Sequence, residues 1–208
     1  MKNTASFENT GMTNETKWEV DRAHSQISFK VRHLKIAHIK GYFKTFDANI
    51  YTVAQNFLTA MIDLWIDPSS IYTGEAKRDA HLKGPDFFDV LNHKQMTFTA
   101  TGIGEPDEHG DQELSGELTI KGIVKQVKLI VRFGGSVIDP WGNEKVGFTV
   151  TGRLKRSDWG LEWNTPLEEG GFMLSDEVII ECELELINVT GKAIALEAES
   201  MDGLNIYI

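Results

Sequence analysis

Between Glu177 and Leu186 the chain alternates without a break. Val178, Ile180, Cys182, Leu184 and Leu186 are interleaved with Glu177, Ile179, Glu181, Glu183 and Glu185, an acidic face interrupted only by Ile179. A two-residue period puts the sets on opposite faces of a β-strand, whereas a helix would scatter both around its circumference. The same grammar recurs upstream. Ile27, Phe29 and Val31 alternate with Ser28, Lys30 and Arg32, and Ala60, Ile62, Leu64 and Ile66 with Met61, Asp63, Trp65 and Asp67. Further runs are Met96, Phe98 and Ala100; Leu114, Gly116, Leu118 and Ile120; Val127, Leu129, Val131 and Phe133; and Val146, Phe148, Val150, Gly152 and Leu154. Order opens at Trp18–Asp21, and another strand is expected from Gly41 to Tyr51.

The pattern lapses from Thr73 to Leu91. There Glu75–Leu82 reads as a short helix, followed by the loop Gly84-Pro85-Asp86 and the apolar cluster Phe87, Phe88, Val90 and Leu91. Such an insertion suits a lid over one end of a barrel. Lys121-Gly122 and Asp139–Asn143 read as turns, Gly104–Asp111 as an acidic loop, and Gly134-Gly135 as a hairpin or bulge. Residues 1–17 carry no pattern and read as a flexible arm; 188–208 form a mixed C-terminal extension, compatible with a strand, a short helix or an arm. The total is eight or nine antiparallel strands and one short helix in a single all-β domain over 18–187. That is a sandwich or an up-and-down barrel, with the barrel favoured because it leaves no exposed edges. The strand glycines Gly41, Gly116 and Gly152 suit barrel bends and are expected to leave interior room for something other than side chains.

Composition narrows the function. The chain has 208 residues, 31 acidic against 21 basic, and a net charge of -10, which disfavours nucleic acid as a partner. Its one cysteine, Cys182, lies on an apolar face and reads as a small buried hydrophobe. Neither a secretory h-region nor an apolar run of membrane-spanning length is seen. The cytoplasm is the expected compartment, or the periplasm if a signal was trimmed away.

The run Trp18 to His33 (WEVDRAHSQISFKVRH) resembles the opening of the YceI-like family of lipid-binding proteins. So do Gly41-Tyr42-Phe43, Ile71–Gly74, Arg78–Leu82, Phe88-Asp89, Leu114–Gly122, Gly147-Phe148, Arg156–Leu161 and Ser175–Val178. The likeness spans about residues 18–187. It implies an extended, roughly eight-stranded, lipocalin-like antiparallel barrel whose pore holds a long apolar chain, typically a polyisoprenoid, with fatty-acid-type or quinone-like lipids for other members. Many members are exported.

Lining candidates follow from the apolar faces: Ile27, Phe29, Val31, Ile62, Leu64, Phe98, Leu118, Leu129, Val131, Phe148, Val150, Ile180 and Leu184. For a polar head the candidates are Arg78 and His81, with Lys77 and Lys83 nearby and Arg32, Arg153 and Arg156 as alternatives. Neither catalytic nor metal-ligating residues are expected, because none of the six histidines falls in a zinc or nucleophile spacing. His24 is expected to anchor a turn, oriented by Asp21. The expected function is non-enzymatic lipid binding without a cofactor. An enzyme on a hydrophobic substrate in the same cavity, or a stress-related interaction module with a solid core, stays open. Met61, Trp65 and Ile130 on outer faces make a homodimer plausible.

Overall fold

The computed structural model describes residues 15–168 and 170–190; most of both terminal arms therefore lies outside the described residues. Eleven strands follow in chain order: β1 (Glu15–Val20), β2 (Gln26–His33), β3 (Ala37–Phe43), β4 (Phe46–Val53), β5 (Asn56–Ile66), β6 (Ile71–Tyr72), β7 (Met96–Ile103), β8 (Asp111–Ile120), β9 (Ile123–Ile138), β10 (Glu144–Lys155) and β11 (Leu174–Asn188). One helix, α1 (Ala76–Lys83), sits between β6 and β7. All pairings are antiparallel, and β1-β4-β5-β7-β8-β9-β10-β11 closes on itself through a β1–β11 ladder. Eight staves therefore make the expected lipocalin-like barrel, with β2 continuing the wall from β1, β3 into β4, and β5 into β6. The outer strands reach slightly past the expected boundaries, β1 starting at Glu15 and β11 ending at Asn188.

The expected single strand from Gly41 to Tyr51 is broken at Lys44-Thr45. The break switches parity, so Phe43 before it and Phe46, Ala48 and Ile50 after it are all buried. Lys121-Gly122 is a two-residue hairpin with both φ angles positive, 51° and 75°, joining Ile120 to Ile123.

The meander gives the barrel two unlike ends. At one, α1 and the segment 84–95 meet the Arg156–Trp159 turn and the loop after it, burying Phe87, Met96, Trp159 and Leu161. The other end carries the β4–β5, β7–β8 and β9–β10 connections. The wall also loosens there: β5 and β7 pair only between Asp63–Ile66 and Met96–Thr99, so Asn56–Ile62 and Ala100–Ile103 share no ladder.

The strand glycines differ from expectation. A β-carbon at Gly41 would stand 2.5 Å from the Phe29 ring, one at Gly116 would overlap Phe98, and one at Gly152 would overlap Leu129. The room they leave is taken by neighbouring side chains, which lie flat against the wall.

Candidate functional site

Inside the barrel is a cavity of about 270 Å³ with an almost wholly apolar lining. Ile27, Phe29, Val31, Ile62, Leu64, Phe98, Leu118, Leu129, Val131, Phe148, Val150, Ile180 and Leu184 all border it. Several of these inward side chains, among them Phe29, Leu129, Phe148 and Ile180, keep accessible surface although they face the interior. A hollow core has that signature, since a packed one covers its inward residues. The polar members of the lining are Ser28, Gln112 and Arg156. Each donates to the backbone: Ser28 to the Glu181 carbonyl, and Gln112 Nε2 to the Gly104 carbonyl at 3.1 Å. Arg156 donates to the carbonyls of Ser175 at 3.0 Å, Trp163 at 2.9 Å and Leu161, and its burial lowers the guanidinium pKa. That side chain pins the Arg156–Trp159 turn to β11, and the tunnel gains no polar anchor from it.

The insertion closes its end as an anchored plug. Glu75 caps α1 by accepting from the Lys77 and Arg78 N–H groups. Buried Asp79 accepts from Thr73 N at 2.9 Å and Thr73 Oγ1 at 2.5 Å, and Arg78 donates to Thr73 Oγ1 and to its carbonyl. His81 pairs with Asp86 at 3.0 Å and lies edge-on to Phe87 and Trp163, with centroids 5.1 and 4.7 Å away. Arg78 and His81 thus hold the plug together, outside the tunnel lining. Arg32 and Arg153 are also spent elsewhere, on the Lys35 carbonyl and on Glu177.

Several lining residues escape sequence reasoning. Phe87, Trp159 and Leu161 come from irregular segments with no period to read, and Phe57 and Ile103 stand at strand ends. Phe57 matters at the open end: its ring lies 4.8 Å from Phe148 and 5.1 Å from Trp18, and Phe148 in turn lies 5.5 Å from Phe133.

On the outer wall, Lys145 Nζ bridges Asp21 at 2.8 Å and Glu185 at 2.6 Å, and His24 Nδ1 meets Asp21 at 2.9 Å. Burial alone would raise the Asp21 carboxyl. Hydrogen bonds from Lys145, His24 and the Ala23 N–H outweigh it and hold Asp21 well below the usual carboxylate range. Those to Asp21 and Glu185 raise Lys145. Asp21, His24 and Glu185 are near enough to share an ion, within 4.8 Å, but the Lys145 ammonium already sits against both carboxylates and offsets one of their two charges. Here His24 does anchor a turn against Asp21.

Comparison with known proteins agrees with this architecture. The family model for the YceI-like domain matches residues 18–186. A UPF0312 protein of Staphylococcus epidermidis is 36% identical over 171 residues, covering 82% of this chain and 96% of its own. Among solved structures, BcnA of Burkholderia cenocepacia superposes with a TM-score of 0.67 at 25% identity, over 80% of this chain and 98% of that one. A mutant YCEI protein of Campylobacter jejuni gives 0.63 at 32% identity, over 80% and 95%. A polyisoprenoid binding domain from Saccharophagus degradans shares the fold, with a TM-score of 0.58 at 16% identity over 82% and 98%.

Proposed function

The chain belongs to the YceI-like domain family, and from that premise we propose that it binds a long-chain amphiphilic lipid of the polyisoprenoid type. The tail lies in the tunnel and the head at the open end. The observation that carries this reading is a hollow interior whose few polar groups all bond to backbone. Such a lumen rewards only apolar matter. Each methylene buried contributes about 0.8 kcal/mol, offset in part by ordering a flexible chain. The polyisoprenoid binding domain with the same fold supports the choice of tail. In this reading the ligand is held and released unchanged; among the described residues the lining is apolar apart from Ser28, Gln112 and Arg156.

Native mass spectrometry of gently purified protein tests the proposal. The expected result is an added mass that organic solvent removes and prenyl lipids restore. Protein that emerges bare and takes up neither prenyl nor acyl lipids would overturn it.

A further inference from the structure

The β9–β10 hairpin outruns the barrel. Strand β8 begins at Asp111, opposite Arg132, so Phe133–Ile138 is bonded on one side only, to β10. This lip carries Phe133, Val137, Ile138 and Trp141, exposed by 49, 62, 64 and 82%. Four large apolar side chains in nine residues make an apolar tip, with Val137 and Ile138 on opposite faces of the hairpin, on a chain of net charge -10.

We propose that this hairpin is a membrane-docking lip that seats the tunnel mouth on an electrically neutral lipid surface; the proposal rests on the lipid-binding reading above. Three features support it. Phe133 stands opposite Phe148 in the ladder with the rings 5.5 Å apart, and Phe148 lines the tunnel, so an apolar path runs from lip to lumen. Trp141 is presented by a built turn: the Asp139 carboxylate accepts from Trp141 N and Asn143 N, both at 2.9 Å, and from Asn143 Nδ2 at 2.8 Å. An indole held outward at a loop tip matches the preference of tryptophan for the membrane interface. The far end of the barrel is plugged, which leaves this mouth for exchange.

The bare edge of β9 does not favour a second copy instead. A bulge at Gly134 shifts its register between Gly147 and Phe148, and Gly135 adopts φ 125°, kinking the edge where pairing would begin. Four tip side chains are also too few for a stable protein interface, which needs about 1,000 Å² or more. A bilayer accepts a tip. The surroundings set its charge: Glu105, Asp107, Glu108, Asp139 and Glu144 are acidic, while the nearby cations Arg132 and Lys145 are paired with Asp111 and with Asp21 and Glu185. Anionic lipid is therefore disfavoured.

The test is flotation of the whole protein with phosphatidylcholine vesicles, with and without phosphatidylglycerol, alongside native mass spectrometry for retained lipid. Wild type is expected to float with phosphatidylcholine and less well as phosphatidylglycerol is added. Trp141→Ser and Ile138→Ser are each expected to weaken partitioning by about tenfold while retained lipid is unchanged. Variants that float like wild type, or binding that rises with phosphatidylglycerol, would overturn the proposal. So would a wild-type dimer that ignores vesicles and that Ile138→Ser abolishes. A protein that carries lipid but does not float defeats the lip alone; one that floats but never carries lipid defeats the carrier reading and leaves the docking surface standing.

Discussion

Two aromatic rings set the bore of the tunnel at the scale of single residues. Phe29 lies over Gly41, its partner in the ladder, and Phe98 covers Gly116, so each glycine lets a ring flatten against the wall. The sequence marked these glycines as special but could not say what fills the space, since a missing side chain records room and not its occupant. Gly116→Val is expected to push Phe98 into the lumen, reducing lipid uptake, and to crowd the backbone carbonyl of Thr99, 2.7 Å from the added β-carbon, at a cost of about 1–3 kcal/mol in urea unfolding. On the outer wall, Asp21 is held below its ordinary pKa. Its contribution to stability is then complete above the unfolded value near 4 and is lost as pH falls below that value. Asp21→Asn should accordingly be less stable than wild type at neutral pH, with the gap closing in acid. A constant gap across an acid titration of the melting temperature would contradict that sign. Cys182, whose thiol burial pushes up to about 12, should be inert to thiol reagents until the barrel unfolds.

Among the elements, the strands were legible and the plug only partly so. Alternation locates a half-buried strand because one face is dry, and it failed where the wall breaks at Lys44-Thr45 and the dry parity changes. For the insertion, composition revealed a helix and an apolar cluster but not that Arg78 and His81 turn toward Thr73, Asp86 and Trp163. Charge on a short helix reads the same whether it awaits a ligand or ties a loop down. The structure makes Asp79 the keystone, as acceptor for both Thr73 groups. Asp79→Ala leaves the Thr73 N–H without its partner and is expected to cost about 1–3 kcal/mol, with faster amide exchange confined at first to residues 73–91. Asp79→Asn keeps an acceptor oxygen and should recover much of the loss.

For the whole molecule, inward parity was readable residue by residue, and all thirteen apolar candidates border one cavity. Whether the interior is hollow was not readable, because an apolar face looks the same against a lumen and against a packed core. The two cases respond oppositely to added bulk. A close-packed core charges about 1–3 kcal/mol for a larger side chain, since neighbours must leave their rotamers. A lumen admits it and loses capacity instead. Ile180 is suited to the comparison: it faces the tunnel and stands opposite Gly152 on β10 and Phe29 on β2. Ile180→Trp is expected to fold with an unchanged or higher melting temperature, because the indole fills space and covers half-exposed neighbours. The same substitution should block the tunnel, so that lipid seen by native mass spectrometry disappears or shifts to shorter chains. A large drop in melting temperature would mean a filled barrel, and retention of the same lipid at wild-type occupancy would place it outside this cavity.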